Sequence, residues 1–373
     1  MKKIFLLAVI VLSAVAVNAR TWRINYDENA HADFRTLKQA CESGEVQDGD
    51  IFYMEPGYHN GSQDDNTITR ICTVYGPGWG FKNNAGNAIE VSTTYFLNDI
   101  IVDYDDVHIS GLNIHEDKIQ IRGGTPSEPR RNVVIERCRV GGISYVVGSA
   151  SAYFYGIVLR NNYFMPANSW NIPVPLLIES CSSEYGVIEG NIILGRVVLG
   201  ANNNGSRFDN NTVVCFSNIY GNVYCISHAE GAAIRNNIII SATSDNANVV
   251  NTFANGTVNN NNVYSITPEQ ATSSPDYSYH PTNQYVGATV ENTFIGTVEG
   301  DFYDDGMRYQ VKPGNVAKTA SSEGGEVGAF GGEHPYVLCG RPAGIPYLYD
   351  VDVPEQPTNN TLSISFKVAG QNE

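Results

Sequence analysis

One set of charged residues recurs at the same place in a repeated sequence motif. Each member stands directly after the first apolar position of one copy. The set comprises Glu136, Arg160, Glu189, Asp209 and Arg235. In a parallel stack of strands these side chains would be vertical neighbours about 5 Å apart. Two roles fit such a column: an ion-pair ladder that fixes the register of the strands, or a general acid and base facing a glycan groove.

A second set of polar residues falls on strands roughly half a coil away from the first. It comprises Arg122, Glu179, His228 and Glu230. A polysaccharide lyase needs a base beside a uronate and a cation that neutralises the uronate carboxylate, and Arg122 and His228 have that chemistry. Their separation of about four coils, ~19 Å, limits them to separate subsites. The carboxylates that a hydrolase would use are Glu179, Glu189, Asp209 and Glu230.

Metal-ligating residues are sparse. Calcium takes six to eight oxygen ligands, and Asp103, Asp105 and Asp106 would supply several from one coil, so calcium is a possible cofactor. No paired Cys and His spacing indicates a zinc site. The seven cysteines, an odd number in a long chain, do not form the pattern of a disulfide framework, although a bridge between Cys41 and Cys72 stays open.

The elements that must position these residues follow from an internal repeat. Each copy has an apolar residue, two further residues, an anchor that is often asparagine, one residue, and a second apolar residue. The anchors are spaced 20 to 29 residues apart and are Leu112, Cys138, Asn162, Asn191, Asn211, Asn237 and Asn261. One coil cannot bury its own apolar face, so the repeat predicts a solenoid of stacked coils. The paired asparagines predict sharp bends and a hydrogen-bonded side-chain ladder.

Four further segments occur in a recognisable order: an amphipathic segment Phe34–Ala40, then Gly49–Tyr58, Val74–Gly78 and Asp106–Ile114. With the repeat, they make residues 26–264 resemble the right-handed parallel β-helix proteins of the pectate-lyase-like superfamily. The resemblance implies an all-β fold, a single right-handed parallel β-helix of about ten coils with an N-terminal cap helix and an irregular C-terminal closing segment. It also implies a polysaccharide bound along the outer face of one sheet, although the polygalacturonase-type and pectate-lyase-type catalytic patterns are missing here.

The N-terminus has the pattern of a secretory signal peptide. Lys2 and Lys3 precede an uncharged run, and the residues before Arg20 suit cleavage after Ala19. We therefore expect a secreted, periplasmic or cell-surface protein. The expected divisions are a signal peptide at 1–19, the β-helix with its cap at 20–264, a closing segment at 265–352, and a linker with a terminal strand at 353–373. We expect the terminal strand to pack on the last coil.

The composition narrows the choice of partners. The formal net charge is −16, which disfavours nucleic acid because phosphate binding needs concentrated Lys and Arg. No apolar run is long enough to span a bilayer, so we expect no membrane span, and we expect a monomer.

Two functions are compatible with these patterns. The first is a secreted carbohydrate-active protein, a polysaccharide lyase or glycoside hydrolase if it is active. The alternative is a non-catalytic glycan-binding or surface-interaction protein on the same scaffold. Convergent carboxylates in a groove would favour hydrolysis, whereas an exposed aromatic stripe would favour binding. The tyrosines considered for such a stripe are Tyr145, Tyr153, Tyr155 and Tyr224.

Overall fold

The computed structural model of this protein describes residues 19–79, 94–96, 98–146, 152–165, 176–178, 181–200, 202–215, 225–241, 258–273, 280–297, 305–340, 347–352 and 365–369. The signal peptide predicted at 1–19 lies outside this set except for Ala19, and the linker predicted from Val353 to Asn360 also lies outside it.

The chain folds as an all-β parallel solenoid, which confirms the predicted fold class. One sheet, sheet A, holds ten strands that pair only in parallel. Its strands, in spatial and chain order, are Thr21–Ile24, Asp50–Met54, Cys72–Tyr75, His108–Ser110, Val134–Glu136, Val158–Arg160, Val187–Glu189, Arg207–Asp209, Ala233–Arg235 and Val258–Asn260. Because each coil contributes one strand, the ten strands agree with the expected ten coils.

Two further parallel sheets complete the coils. Sheet B has fifteen strands: Gly57–His59, Thr67–Ile68, Thr94–Phe96, Ile100–Val102, Asn113–Arg122, Arg139–Val146, Tyr163–Phe164, Leu176–Leu177, Ile192–Leu194, Val197–Val198, Thr212–Cys215, Ile226–Ser227, Ile238–Ser241, Val263–Tyr264 and Gln284–Tyr285. Sheet C has three strands, Arg130–Arg131, Ala152–Tyr155 and Cys181–Glu184. The α-helices are Leu37–Glu42, Pro268–Ser273 and Val290–Thr293, and the 3-10 helices are Glu28–Ala30, Asp305–Tyr309, Val316–Lys318 and Leu338–Gly340.

The two apolar columns of the repeat form the interior of the stack. The first column is in register through sheet A and comprises Ile109, Ile135, Leu159, Ile188, Phe208 and Ile234. The second is in register through sheet B and comprises Ile114, Val140, Phe164, Ile193, Val213, Ile239 and Tyr264. All of them are buried in one continuous core. Full burial of one such side chain stabilises the fold by about 1.5–3 kcal/mol, which explains why both positions are apolar in every copy before the last.

The asparagine ladder between these columns is present. The Nδ2 group of Asn191 donates to Leu159 O at 2.9 Å and to Asn211 Oδ1 at 2.9 Å, while its Oδ1 accepts from Asn162 N at 2.9 Å. The pattern continues through Asn237, so buried amides satisfy the backbone groups that the bend leaves without strand partners. The preceding residue has a left-handed backbone, as at Asn161 with φ 56°.

The last copy of the repeat is one residue out of the predicted register. The ladder residue is Asn262, not Asn261, which instead takes the left-handed conformation with φ 57°. Ile234 consequently pairs with Asn259, whose amide faces the core and accepts from Tyr264 Oη at 2.6 Å. The run of four asparagines hid the register, because any of them suits either the bend or the ladder.

The ends of the solenoid carry short helices. At the N-terminus, Leu37–Glu42 buries Leu37, Ala40 and Cys41, and the Thr36 side chain accepts from Gln39 N at 3.1 Å, which confirms the cap helix. At the other end, the stack continues beyond the predicted limit at residue 264.

The added strand at that end, Gln284–Tyr285, pairs in parallel with Val263–Tyr264, and Asn283 extends the asparagine ladder. The helix Pro268–Ser273 between them places Ala271 in the main core.

The C-terminal segment covers one side of the solenoid. A second apolar core lies between the outer face of sheet B and this segment. Sheet B contributes Tyr163, Ile192, Leu194, Val214, Ile238, Ile240 and Val263, and the segment contributes Ala288, Phe294, Tyr309, Val311, Ala317, Val327, Ala329 and Tyr336. The hydrogen bonds that mark its path join Asn261 to Ala320, Asn236 to Gly328, Thr212 to Ala329, and Trp79 to Cys339. The segment therefore runs back along the stack from its last coil towards its first coils.

The terminal strand does not pair with the solenoid. Ser365–Ala369 forms a separate two-stranded antiparallel sheet with Tyr347–Asp352. The expected packing of this strand on the last coil stays a prediction, and Gln284–Tyr285 forms the edge of sheet B there. The division expected at residue 353 separates Tyr347–Asp352 from Ser365–Ala369. In the structure these two strands form one sheet, so the sheet contains residues from both predicted segments.

Candidate functional site

The charged column on the outer face of sheet A is an ion-pair ladder. Glu136, Arg160, Glu189, Asp209 and Arg235 are in register on successive strands. Arg160 Nη2 lies 2.7 Å from Glu136 Oε2, and Arg235 Nη2 lies 2.6 Å from Asp209 Oδ2. Neighbouring members have opposite signs except Glu189 and Asp209, which are two carboxylates in register.

Arg207 and His108 extend this ladder. Arg207, two positions before the charged column in its strand, lies 3.7 Å from both Glu189 and Asp209. At the other end, His108 Nε2 lies 3.1 Å from Glu136 Oε1. Glu136 and Asp209 thus each contact two cationic or titratable nitrogen groups, and Glu189 contacts three, the third being His334 at 3.9 Å.

The ladder controls the protonation of Glu136. Burial opposes ionisation of this carboxyl, but hydrogen bonds from His108 and Arg160 outweigh burial and lower its pKa to about 2. A carboxyl that is ionised above pH 2 cannot supply a proton at neutral pH. The geometry therefore favours the ladder over the acid and base that this column also suggested.

The aspartates considered for calcium bind protein donors instead. Arg130 lies 3.0 Å from Asp103 and 3.0 Å from Asp105, and Asn132 Nδ2 donates to Asp106 Oδ1 at 2.8 Å. Within the described ranges, no group of three or more His, Cys, Asp or Glu side chains is arranged to hold a metal ion. Arginine thus occupies the oxygen atoms that a calcium ion would need.

The second predicted set is not brought together as one site. Arg122 pairs with Asp103 at 2.8 Å, at the end of the strand Asn113–Arg122. His228 follows the strand Ile226–Ser227, which is four strand steps away in the same sheet, as the spacing predicted.

Among the described residues, neither His228 nor Glu230 forms an ion pair with Arg122. The carbonyl oxygen atoms of His228 and Glu230 accept from Asn203 Nδ2 at 3.2 and 3.3 Å. Glu179 lies outside the described residues.

An exposed stripe on sheet C is the surface that the charged residues did not predict. Arg131 and Tyr155 are paired in register on sheet C, and Tyr185 directly follows the strand Cys181–Glu184 of the next coil. We call these three residues the sheet C stripe. The Arg131 Cζ atom lies 5.0 Å from the centroid of the Tyr155 ring, and the Tyr155 and Tyr185 ring centroids are 5.2 Å apart. Tyr155 is 37% exposed and Tyr185 is 56% exposed. The stripe thus offers aromatic faces and one guanidinium to solvent.

Polar side chains flank this stripe. Glu184 is the in-register neighbour of Tyr155, and Asn202 Nδ2 donates to Ser182 Oγ at 3.0 Å on the same outer face. The alternate side chains of the strand, Ala152 and Phe154, are buried in the main core. Alternation along the strand therefore fixes which side chains face outwards, and the rigid stack holds them in place.

Tyr185 occupies an unusual backbone position. Its φ is 55°, a left-handed conformation that bulky residues rarely adopt. The equivalent bend in the other coils carries Asp106, Asn132, Gly156, Gly205 and Gly231. A Cβ on Gly205 would lie 2.8 Å from carbon atoms of the Tyr185 ring, so this glycine leaves room for the ring. Local strain of this kind is concentrated at functional sites, which directs attention to Tyr185.

Sequence reasoning had found only part of this surface. Tyr155 was among the four tyrosines considered, Tyr153 is half-buried beside it, and Tyr145 and Tyr224 have side chains outside the described part of the chain. The signal for Tyr185 was a tyrosine at a bend position where the other copies carry Asn, Asp or Gly.

Comparisons with known proteins do not assign a function to this chain. No protein-family model, curated protein or solved structure matches this chain. In the part of the chain that the structure describes, no helix is both long and apolar enough to cross a membrane. A fold alone does not establish an activity, so the exposed side chains decide which function is best supported.

Proposed function

We propose that this protein is a secreted β-helix of the pectate-lyase-like superfamily that binds a glycan without cleaving it. The binding surface is the sheet C stripe, and the observation that carries the proposal is the exposure of two adjacent tyrosine rings on a rigid stack. Signal-peptide cleavage after Ala19 would deliver the protein to an extracytoplasmic space where such glycans occur.

The chemistry of the stripe suits sugar rings. A pyranose has apolar C–H faces and a rim of hydroxyl groups, and a tyrosine ring offers a flat apolar face with a polar hydroxyl. Arg131 and Glu184 add a hydrogen-bond donor and an acceptor beside Tyr155. Rigid tyrosines lose little conformational entropy on binding, which makes them effective contacts for a ligand.

Catalysis is less well supported than binding. Glu136 is held ionised, and Glu189 and Asp209 each lie within 4.0 Å of two arginines. A glycoside hydrolase needs one carboxyl that gives up a proton and a second that acts across the sugar. In addition, the C-terminal segment covers much of the outer face of sheet B, a second place where a groove would otherwise run.

The test is a binding measurement with protein that begins at Arg20. A panel of neutral and acidic polysaccharides is screened by affinity electrophoresis, and the Kd for the best ligand is measured by calorimetry. We expect the variant Tyr155→Ala/Tyr185→Ala to bind at least tenfold more weakly, a loss of about 1.4 kcal/mol. The matched control is Tyr58→Ala, which removes a tyrosine that is 64% exposed on sheet B.

A second measurement separates binding from catalysis. The same panel is incubated with and without calcium while new reducing ends and the ultraviolet absorbance of unsaturated uronate are followed. The proposal expects neither signal. Reducing ends that disappear in Asp209→Asn or Glu189→Gln would overturn it in favour of a hydrolase, and absorbance that depends on Arg122 or His228 would overturn it in favour of a lyase.

A further inference from the structure

Asp50 is a buried carboxylate at the start of the second strand of sheet A. Its residue is only 3% exposed. Oδ1 accepts from Arg20 N at 2.8 Å, and Oδ2 accepts from Trp22 Nε1 at 2.7 Å and from Gln47 N at 3.0 Å. Burial alone would raise the pKa of Asp50, but the hydrogen bonds from Gln47, Trp22 and Arg20 hold it below its ordinary value.

All three donors to Asp50 are neutral while Arg20 is joined to Ala19. Among the described residues, no side-chain cation lies within 4.0 Å of the Asp50 carboxylate. The Arg20 guanidinium is directed elsewhere, with its Cζ atom 3.6 Å from the centroid of the Trp22 ring. The charge of this guanidinium also helps to lower the pKa of Asp50, although it makes no direct contact with the carboxylate. A buried carboxylate whose direct partners are all neutral is costly, so a cation in direct contact would complete this site.

We infer that hydrolysis of the Ala19–Arg20 peptide bond completes this site by placing a new α-ammonium group against Asp50. Water adds across the amide bond, the Ala19 carbonyl carbon becomes a carboxylate, and the Arg20 nitrogen leaves as an amine that takes up a proton. The reaction needs only water and a peptidase of the signal-peptidase class. The nitrogen atom that already lies 2.8 Å from Asp50 thereby changes from an amide to a cation.

The surrounding structure holds this nitrogen atom in place. Ile51 N donates to Arg20 O at 2.9 Å, and the strand Thr21–Ile24 pairs in register with the strand that begins at Asp50. Trp22 and Ile24 are buried in the main core, so the strand Thr21–Ile24 is held both by its hydrogen bonds and by its buried side chains. Ala19 and Arg20 are themselves exposed, which leaves the bond between them accessible to a peptidase.

The other charged and titratable groups near this site are already paired or neutral. Asp48, in the turn before Asp50, lies 3.7 Å from Arg70. Cys72 is the in-register neighbour of Asp50, and burial keeps the pKa of its thiol and of Cys41 above the ordinary value. A titration between pH 7 and pH 10 near this site therefore reports the α-amino group.

The experiment compares three forms of the protein. One begins at Arg20, the second begins at Ala19 and so keeps an amide at Arg20, and the third begins at Arg20 and carries Asp50→Asn. The α-amino group is titrated by NMR after isotope labelling, and the melting temperature is measured from pH 6 to pH 10. In the first form we expect the α-amino pKa to rise by about one unit above its usual 7.7–8.0, a tenfold preference for the charged state.

The stability of the first form should follow that titration. Because the folded pKa of the amine is raised, the stabilisation is present below about pH 8 and is lost as the pH rises through the folded value. The second and third forms should lack both the raised pKa and this decline. If Asp50→Asn does not fold, the comparison of the first form with the second still tests the inference, because both retain Asp50 and differ only at the amide or amine of Arg20. An ordinary α-amino pKa in the first form, or the same pH dependence in the first two, would overturn the inference.

Discussion

The outer faces of sheet A and sheet C carry columns of side chains on the same scaffold and use them differently. On sheet A, arginines lie within 4.0 Å of the carboxylates of Glu136, Glu189 and Asp209, and Glu136 is 6% and Asp209 is 5% exposed. Beside sheet C, Tyr155 contacts both Arg131 and Tyr185, and all three residues are exposed. The charged groups on sheet A are paired with one another, whereas the tyrosines beside sheet C keep exposed surface that a ligand could contact.

The difference shows that parallel stacking can turn a charged residue into a structural ion-pair partner. A carboxylate that repeats once per coil has a neighbour about 4.8 Å above and below it, so an arginine in the next copy neutralises it. Charges that suggest catalysis when the sequence is read along the chain thus become part of the scaffold. Tyr155 and Tyr185, whose rings are tilted by 51° with centroids 5.2 Å apart, carry no charge that a neighbouring coil could neutralise, and their exposed surface is available for recognition.

The largest expected effect comes from removing a buried charge of the sheet A ladder. Glu136→Gln removes the charge that balances Arg160 and that accepts the hydrogen bond of His108, and we expect a loss of about 3 kcal/mol in the free energy of unfolding. Urea denaturation followed by circular dichroism measures this loss, and glycan affinity should not change. The control Arg207→Met removes a cation that is half exposed and 3.7 Å from its partners, and it should cost less than about 1 kcal/mol. Equal losses in the two variants would contradict the ladder as a buried network.

A second effect is the acid sensitivity of the same ladder. The folded pKa of Glu136 is about 2, below its ordinary value of 4.5, so its stabilisation is present above pH 4.5 and is lost as the pH falls towards 2. Between pH 6 and pH 3 we expect Glu136 to account for about 2 kcal/mol of lost stability. Comparing urea midpoints of the wild type and Glu136→Gln at both pH values isolates this part. The sheet C variant Tyr155→Ala should keep the wild-type dependence, and a Glu136→Gln protein that did so as well would contradict the assigned pKa.

The sequence predicted the scaffold well because the repeat is governed by local rules. An apolar residue on each side of a sharp bend requires burial on both sides, and asparagine is suited to both the bend and the ladder. The exception at Asn262 has the same origin, since a run of four asparagines satisfies these rules in more than one register. The parallel β-solenoid was therefore predictable, while the exact register of its last coil was not.

The candidate site was predicted less well because it depends on contacts that are distant in sequence. Asn236 contacts Ser322, which is 86 residues later, and nothing in the repeat indicates that the C-terminal segment lies along sheet B. Tyr185 could have been noticed as an aromatic residue at a bend position. Its contact with Tyr155, however, follows from the length of the coil between them, which the sequence does not specify.

The smallest expected effect tests whether the cation of the sheet C stripe contributes to recognition. Arg131→Met removes the guanidinium over Tyr155 but keeps an unbranched apolar side chain. We expect about a threefold weaker glycan affinity, in line with the ~0.5–1 kcal/mol of an exposed cation–π contact. The melting temperature should stay within a degree of the wild type because the side chain is exposed. The chain offers a matched control in Arg35→Met, since the Arg35 Cζ atom lies 5.2 Å from the Tyr26 ring centroid in the same kind of contact far from sheet C. If both variants weakened binding equally, general loss of positive charge would explain the result. If neither did, the two tyrosines alone would define the binding surface.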